Sequence, residues 1–170
     1  MANFDKYFPI EIEAEGAVYE NVPGDNGGCT KFGLTLDDVK LYKNNNTLTC
    51  ESVKAIDRET ASAMLKKIYW DFFSADQIND QNLAMFIVDG GLNMGKKLIA
   101  KYVQESVGVS ADGQPGPKTI AAINAANPKE LYKKVYDKRK ARYDGIVAAN
   151  PPQSKFIKGW MNRLNLIKVV

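Results

Sequence analysis

The chain has 170 residues, the size of one ordinary domain or two small ones packed together, and 45% of them are apolar against 25% charged. That is enough to bury a core, and it is not a disordered composition. There is no histidine and there are two cysteines, Cys29 and Cys50, which excludes Ser-His-Asp and Cys-His nucleophile pairs, the HExxH zinc helix and four-cysteine zinc sites. Acids and bases for any catalysis must therefore come mainly from Asp, Glu, Lys and Tyr.

The net charge of +3 is unevenly placed: residues 1–60 carry 11 acidic and 6 basic side chains (net −5), leaving 9 acidic and 17 basic for residues 61–170 (net +8). A basic C-terminal part can meet an anionic partner or attract the acidic first third. It reads equally as a solvated Lys-rich helix face. No RNA-binding or helix-turn-helix signature accompanies it, so no nucleic-acid partner is expected. No stretch of about 20 apolar residues is present, so no membrane insertion is expected. Residues Met1 to Phe8 have neither the basic nor the apolar region of a secretory signal, and synthesis as a soluble cytoplasmic protein is expected. Action outside the cytoplasm then needs a separate route of release. The two cysteines stand 21 positions apart and are expected as reduced, partly buried thiols, Cys29 serving as packing because no base stands ready to activate it.

In chain order, Asn3 can cap a helix with Phe4, Tyr7, Phe8 and Ile12 at apolar positions. Pro9 predicts a kink or a later start, Glu11 and Glu15 extend the Tyr7 row at steps of four, and Gly16 is the stop. Between Gly16 and Gly33 stand six glycines or prolines, the chemistry of a functional loop or small hairpin. Thr35 and Asp38 form a capping box for a short helix through Tyr42. Asp57 and Glu59 open a helix running to Trp70 or beyond. Asn82 to Val88 is apolar around nearly its whole circumference and predicts a central, buried helix. It leads to Asp89, Asn93 and a run of small residues that allows another helix to approach. Lys96 to Val107 is amphipathic and stops at Gly108; Pro117 begins the next helix. Asn127, Pro128 and Glu130 start a long basic helix to about Ala148, broken by Asn150-Pro151-Pro152. A last helix carries Phe156, Trp160, Leu164 and Ile167. The fold class is mainly α, with at most a small β-hairpin between Val18 and Leu34.

Glu15 is the candidate for chemistry. It stands at a helix end and is followed by a Gly-rich loop that could return Asp25 and Thr30 towards it. A glutamate beside Ile12 and Tyr19 can be partly desolvated and held protonated near neutral pH, as protonation of a glycosidic oxygen requires. Asp25 and Thr30 have the chemistry of the second group such a reaction needs, as nucleophile, base or water holder. On spacing alone Asp25-Asn26-Gly27-Gly28 is by default a turn, and glutamates at helix ends are commonplace.

The ordered set Glu15-Gly16, Tyr19, Asn21, Pro23, Asp25, Gly27-Gly28, Thr30, Gly33-Leu34-Thr35 resembles the signature of glycoside hydrolase family 108, N-acetylmuramidases once called secretion-activator proteins. Tyr69-Trp70-Asp71 resembles the family's Y-W-D, and Asp89, Asn93 and Gly95 its D-x-x-x-N-x-G helix. Asp112-Gly113, Gly116-Pro117, Thr119 and the closing Phe156 to Arg163 are similar to the peptidoglycan-binding module usually attached. The resemblance covers nearly the whole chain. It implies a lysozyme-like helical fold, a catalytic region over 1–95 and a helical peptidoglycan-binding region over 96–170, packed as one globule. It also implies Glu15 as general acid, with Asp25 and Thr30 as the helpers that phage-type lysozymes place at closely similar separations. The family's E-G-G-Y reads Glu15-Gly16-Ala17-Val18-Tyr19 here, and Ala14 stands where a histidine often precedes the acid.

Tyr19, Trp70 and Asn93 are the candidate substrate-binding residues. Each has a second reading: Tyr19 as an anchor of the hairpin, Trp70 as core, and Asn93 with Asp89 as partners of buried backbone. The implied function is hydrolysis of the β-1,4 bond between N-acetylmuramic acid and N-acetylglucosamine in peptidoglycan glycan strands, with no metal and no cofactor. Wall amidases and endopeptidases generally need zinc with His ligands or a Cys-His pair, which this chain lacks. The alternatives are a lytic transglycosylase, and a non-catalytic peptidoglycan-binding or secretion-accessory protein. Release to the cell wall through a holin-type pore, by lysis, or in a phage-derived setting fits the expected cytoplasmic synthesis.

Overall fold

A computed structural model describes residues 1–16, 18–21 and 28–169, and of Glu15 the backbone alone. The chain divides into two compact units, Asn3–Phe72 and Phe73–Val170, the latter joined by Met1–Ala2. The terminal residues belong there because the Ala2 amide donates to the Ile78 carbonyl at 2.8 Å. By packing the division therefore falls at 72/73, whereas the motifs divide at 95/96.

In the first unit, α1 (Phe4–Glu15) is capped by Asn3, whose side chain accepts from the Asp5 amide at 2.8 Å. Pro9 does not break it. The proline is exposed; it removes the N–H that would have bonded the Asp5 carbonyl, and the helix nevertheless runs on to Glu15. The chain then forms a three-stranded antiparallel sheet, β1 (Glu20–Asn21), β2 (Cys29–Lys31) and β3 (Leu34–Thr35), with β2 in the middle. This is one strand more than the expected hairpin. The third strand exists because the Phe32-Gly33 turn, both residues at positive φ, brings Leu34 back beside Lys31. α2 (Leu36–Lys43) opens on the expected capping box, with Thr35 and Asp38 bonding each other's backbone. α3 (Cys50–Lys54) and α4 (Arg58–Leu65) follow, and the helical path continues from Lys66–Trp70 as a π-helical turn.

The cysteine expectation is corrected here. Cys29 and Cys50 are joined in a disulfide with Cα atoms 5.7 Å apart. Across a sequence separation of 21 the chain folds β3 and α2 back on themselves, and so brings β2 against α3. Sequence separation says nothing of that distance.

In the second unit, α5 (Gln81–Met94) is central, with Leu83 through Gly91 all buried. Gly95, at φ +94°, turns the chain into α6 (Lys96–Val107). α7 (Pro117–Ala125) starts on its proline and α8 (Pro128–Ala149) is capped by Asn127. α9 is Ile157–Leu164. The small residues of α5 have separate uses. Gly91 admits the Phe73 ring, since a Cβ there would lie 2.5 Å from Phe73 Cε2, while Gly90 lies against Arg139 and Ile99. Gln104, 1% exposed, organises the Asp112-Gly113 turn: its amide donates to Asp112 at 2.7 Å and its carbonyl accepts from the Gly113 amide at 2.9 Å. No helix among the described residues is long and apolar enough to cross a membrane.

Candidate active site

The site region is built on the first unit. Glu15 is the last residue of α1, and Gly16 at φ +73° ends the helix with its amide on the Ile12 carbonyl, 2.9 Å away. That conformation is open to glycine and strained for other residues, which is why the stop is legible. Tyr7, Glu11 and Glu15 stand four residues apart and so share one face of α1. Tyr7 and Glu11 of this row are buried, and the Tyr7 hydroxyl donates to Glu11 Oε2 at 2.8 Å. Trp70 stacks on Tyr7 with ring centroids 5.9 Å apart and meets Phe4 edge-on at 5.5 Å.

Trp70 is 0% exposed. The substrate-binding candidate is therefore a core residue in this structure, with no exposed surface to offer a sugar. Tyr19 is half-buried just before β1, and Thr30 is half-buried in the middle of the sheet, opposite Glu20 on one side and Thr35 on the other. Asp25 lies outside the described residues, as does the side chain of Glu15. Asn93 belongs to the second unit, where its amide donates to the Asp89 carbonyl at 2.8 Å and to Asp89 Oδ1 at 3.3 Å. Among the described residues no group of three or more Cys, Asp or Glu side chains is placed to hold a metal.

A polar pair that sequence patterning passes over joins the start of α2 to the π-helical turn. The π-helical turn, with the Asp71 amide on the Lys66 carbonyl at 2.9 Å, carries Tyr69, whose hydroxyl donates to Asp38 Oδ1 at 2.8 Å. Asp38 Oδ2 meanwhile accepts from the Thr35 amide and hydroxyl at 2.9 and 2.8 Å. One carboxylate thus closes the α2 cap and ties the end of β3 to the helix that follows α4. Burial, then the charge of Asp38, pushes the Tyr69 phenol far above its ordinary range, so Tyr69 stays a donor. The capping box was visible in sequence; its second use was not, since Tyr69 is 31 residues away.

The comparisons fall on the same segments. The family described as Glycosyl hydrolase 108 matches residues 9–95, and the "Predicted Peptidoglycan domain" family matches residues 99–165. The structure of SagA from Brucella abortus is similar at 28% identity, with a TM-score of 0.84, over 95% of this chain and 88% of that one. No curated protein matches the chain significantly. The fold is mainly α and lysozyme-like with a small β-sheet, the chain carries a peptidoglycan domain after its first helices and sheet, and, with half of its length matched, it is a glycoside hydrolase belonging to the glycosyl hydrolase 108 family.

Proposed function

We propose that the protein is an N-acetylmuramidase, hydrolysing the β-1,4 bond between N-acetylmuramic acid and N-acetylglucosamine in the glycan strands of the cell wall. The observation that supports the reading is the family match over residues 9–95, which spans the end of α1 and the whole sheet. α1 ends at Glu15 on a glycine turn, and the chain then enters a sheet whose central strand holds Thr30. Glu15 is the general acid that protonates the leaving oxygen. Asp25, with Thr30, stabilises the oxocarbenium-like state or positions the attacking water. Tyr19 offers a ring for a sugar face. Asn93, engaged with Asp89, holds the end of α5.

Wild type and Glu15→Gln are compared on purified peptidoglycan. Release of soluble muropeptides should fall by about 10²–10⁴-fold in the variant, with sedimentation on sacculi retained. Equal clearing by both proteins, or clearing by neither while both bind, overturns the assignment. Mass spectrometry of the products should show reducing N-acetylmuramic acid ends; anhydro ends would make the enzyme a lytic transglycosylase.

A further inference from the structure

The disulfide sits where it can control the site. Cys29 is the first residue of β2, paired with Asn21 at the end of the β1–β2 ladder. Thr30 is its chain neighbour. Strands of two, three and two residues are too short to fix their own position, because a sheet of this size has little of its own to hold it. Two ties fasten β2 to α3. At one end Cys29 is bonded to Cys50, the first residue of α3. At the other, Lys31 Nζ donates to the carbonyls of Lys54 and Ile56 at 2.8 and 2.7 Å, where α3 ends. The lysine tie is always present; the sulfur tie depends on the surroundings. Cytosolic thiol pools keep cysteines reduced, whereas peptidoglycan lies in compartments where disulfides persist.

We propose that Cys29–Cys50 is a redox gate on the hydrolase: the dithiol form turns over poorly, and the disulfide sets β2, with Thr30 on it, for catalysis. The inference rests on the muramidase reading and adds its regulation. The oxidant is a disulfide of the glutathione or oxidoreductase class. Cys29 is 1% exposed and Cys50 is half-buried, so the Cys50 thiolate attacks the oxidant's disulfide and displaces one thiolate. The Cys29 thiolate then attacks the mixed disulfide at the Cys50 sulfur and displaces the second. The protein loses two protons and two electrons, and the oxidant leaves as two thiols.

The test equilibrates the full chain in glutathione buffers of graded ratio. It reads three quantities together: the disulfide fraction by mass shift after maleimide labelling, muropeptide release, and far-UV circular dichroism. Turnover should follow the disulfide fraction reversibly and fall on the order of 10²-fold in the dithiol form, the loss that misplacement by about 1 Å brings, while the helical signal is kept. Cys29→Ser/Cys50→Ser should hold the low rate in every buffer. A reduced or double-serine protein that works at the oxidised rate overturns the gate, and so does one that loses its helical signal, since the bond would then be a staple for folding alone. Hydrogen exchange separates this failure from that of the muramidase reading. If the oxidised chain leaves the wall intact, the muramidase reading falls. Protection of amides 28–35 that is lost on reduction, with the remainder kept, still shows the clamp, and unchanged protection removes it.

Discussion

Arg139 Nη2 lies 2.8 Å from Asp89 Oδ2, and the two side chains are 0% and 2% exposed. The same carboxylate accepts from Arg163 Nε at 2.6 Å through its other oxygen. One acid on α5 therefore receives guanidinium groups from α8 and from α9, and the Arg139 guanidinium also donates to the Phe86 carbonyl at 3.2 Å. Removing the acid would take the carboxylate from a fully buried Arg139 and from Arg163 beside it. Asp89→Asn is expected to cost about 3–5 kcal/mol in urea unfolding. Arg163→Met should cost less, since it leaves Asp89 and Arg139 matched one to one and Arg163 is 10% exposed. Equal losses from the two variants would mean that the three groups do not share one charge balance.

Gly91 tests the packing of α5 on its own terms. An added Cβ would meet Phe73 Cε2 at 2.5 Å and Cζ at 3.0 Å, and the ring is 2% exposed, with no solvent to swing into. Gly91→Ala is expected to lower stability by about 1–3 kcal/mol, although alanine is the better helix former. In Gly91→Ala/Phe73→Leu the smaller side chain should recover part of the loss. Thermal unfolding of the two single variants and the double variant reads the coupling; simple additivity would show that the two side chains do not compete for space.

These contacts mark the limit of what the sequence discloses. Helix ends were legible where one residue settles them: Gly16, Thr35, Pro117 and Asn127 act within three positions of themselves. The buried class of α5 was legible from its apolar circumference. Arg139 was not, because it stands in a run of lysines that reads as a solvated face. Its row, Leu131, Val135, Arg139 and Tyr143, is buried, yet only Asp89, 50 residues earlier, explains a cation there. The disulfide, the second use of Asp38 and the third strand are long-range matters of the same kind. Glu15 and Thr30 are candidates from motif order, and the structure adds that α1 ends at Glu15 and that Thr30 lies on the central strand. Trp70 shows the converse: an aromatic within a family motif that packing claims entirely.

Tyr69 supplies a pH-dependent prediction. Its phenol is held neutral by burial and by Asp38, so its folded-state value is raised above the ordinary value of about 10. A raised value stabilises the fold fully below about pH 10, and the contribution is lost as pH climbs from there through the folded-state value. At pH 7, Tyr69→Phe should cost about 1.5–3 kcal/mol, the worth of a hydrogen bond to a charged acceptor. The gap to wild type should then narrow above pH 10, because the wild-type chain alone pays to keep this phenol protonated. Tyr143 and Tyr132 are also raised, chiefly by burial, so the variant should still weaken at high pH, with a shallower slope. Urea unfolding of both proteins at pH 7, 9 and 10.5 measures the difference. A gap that stays constant across that range would mean that the Tyr69 hydroxyl titrates as it does in the unfolded chain, and that the bond to Asp38 does not hold its proton.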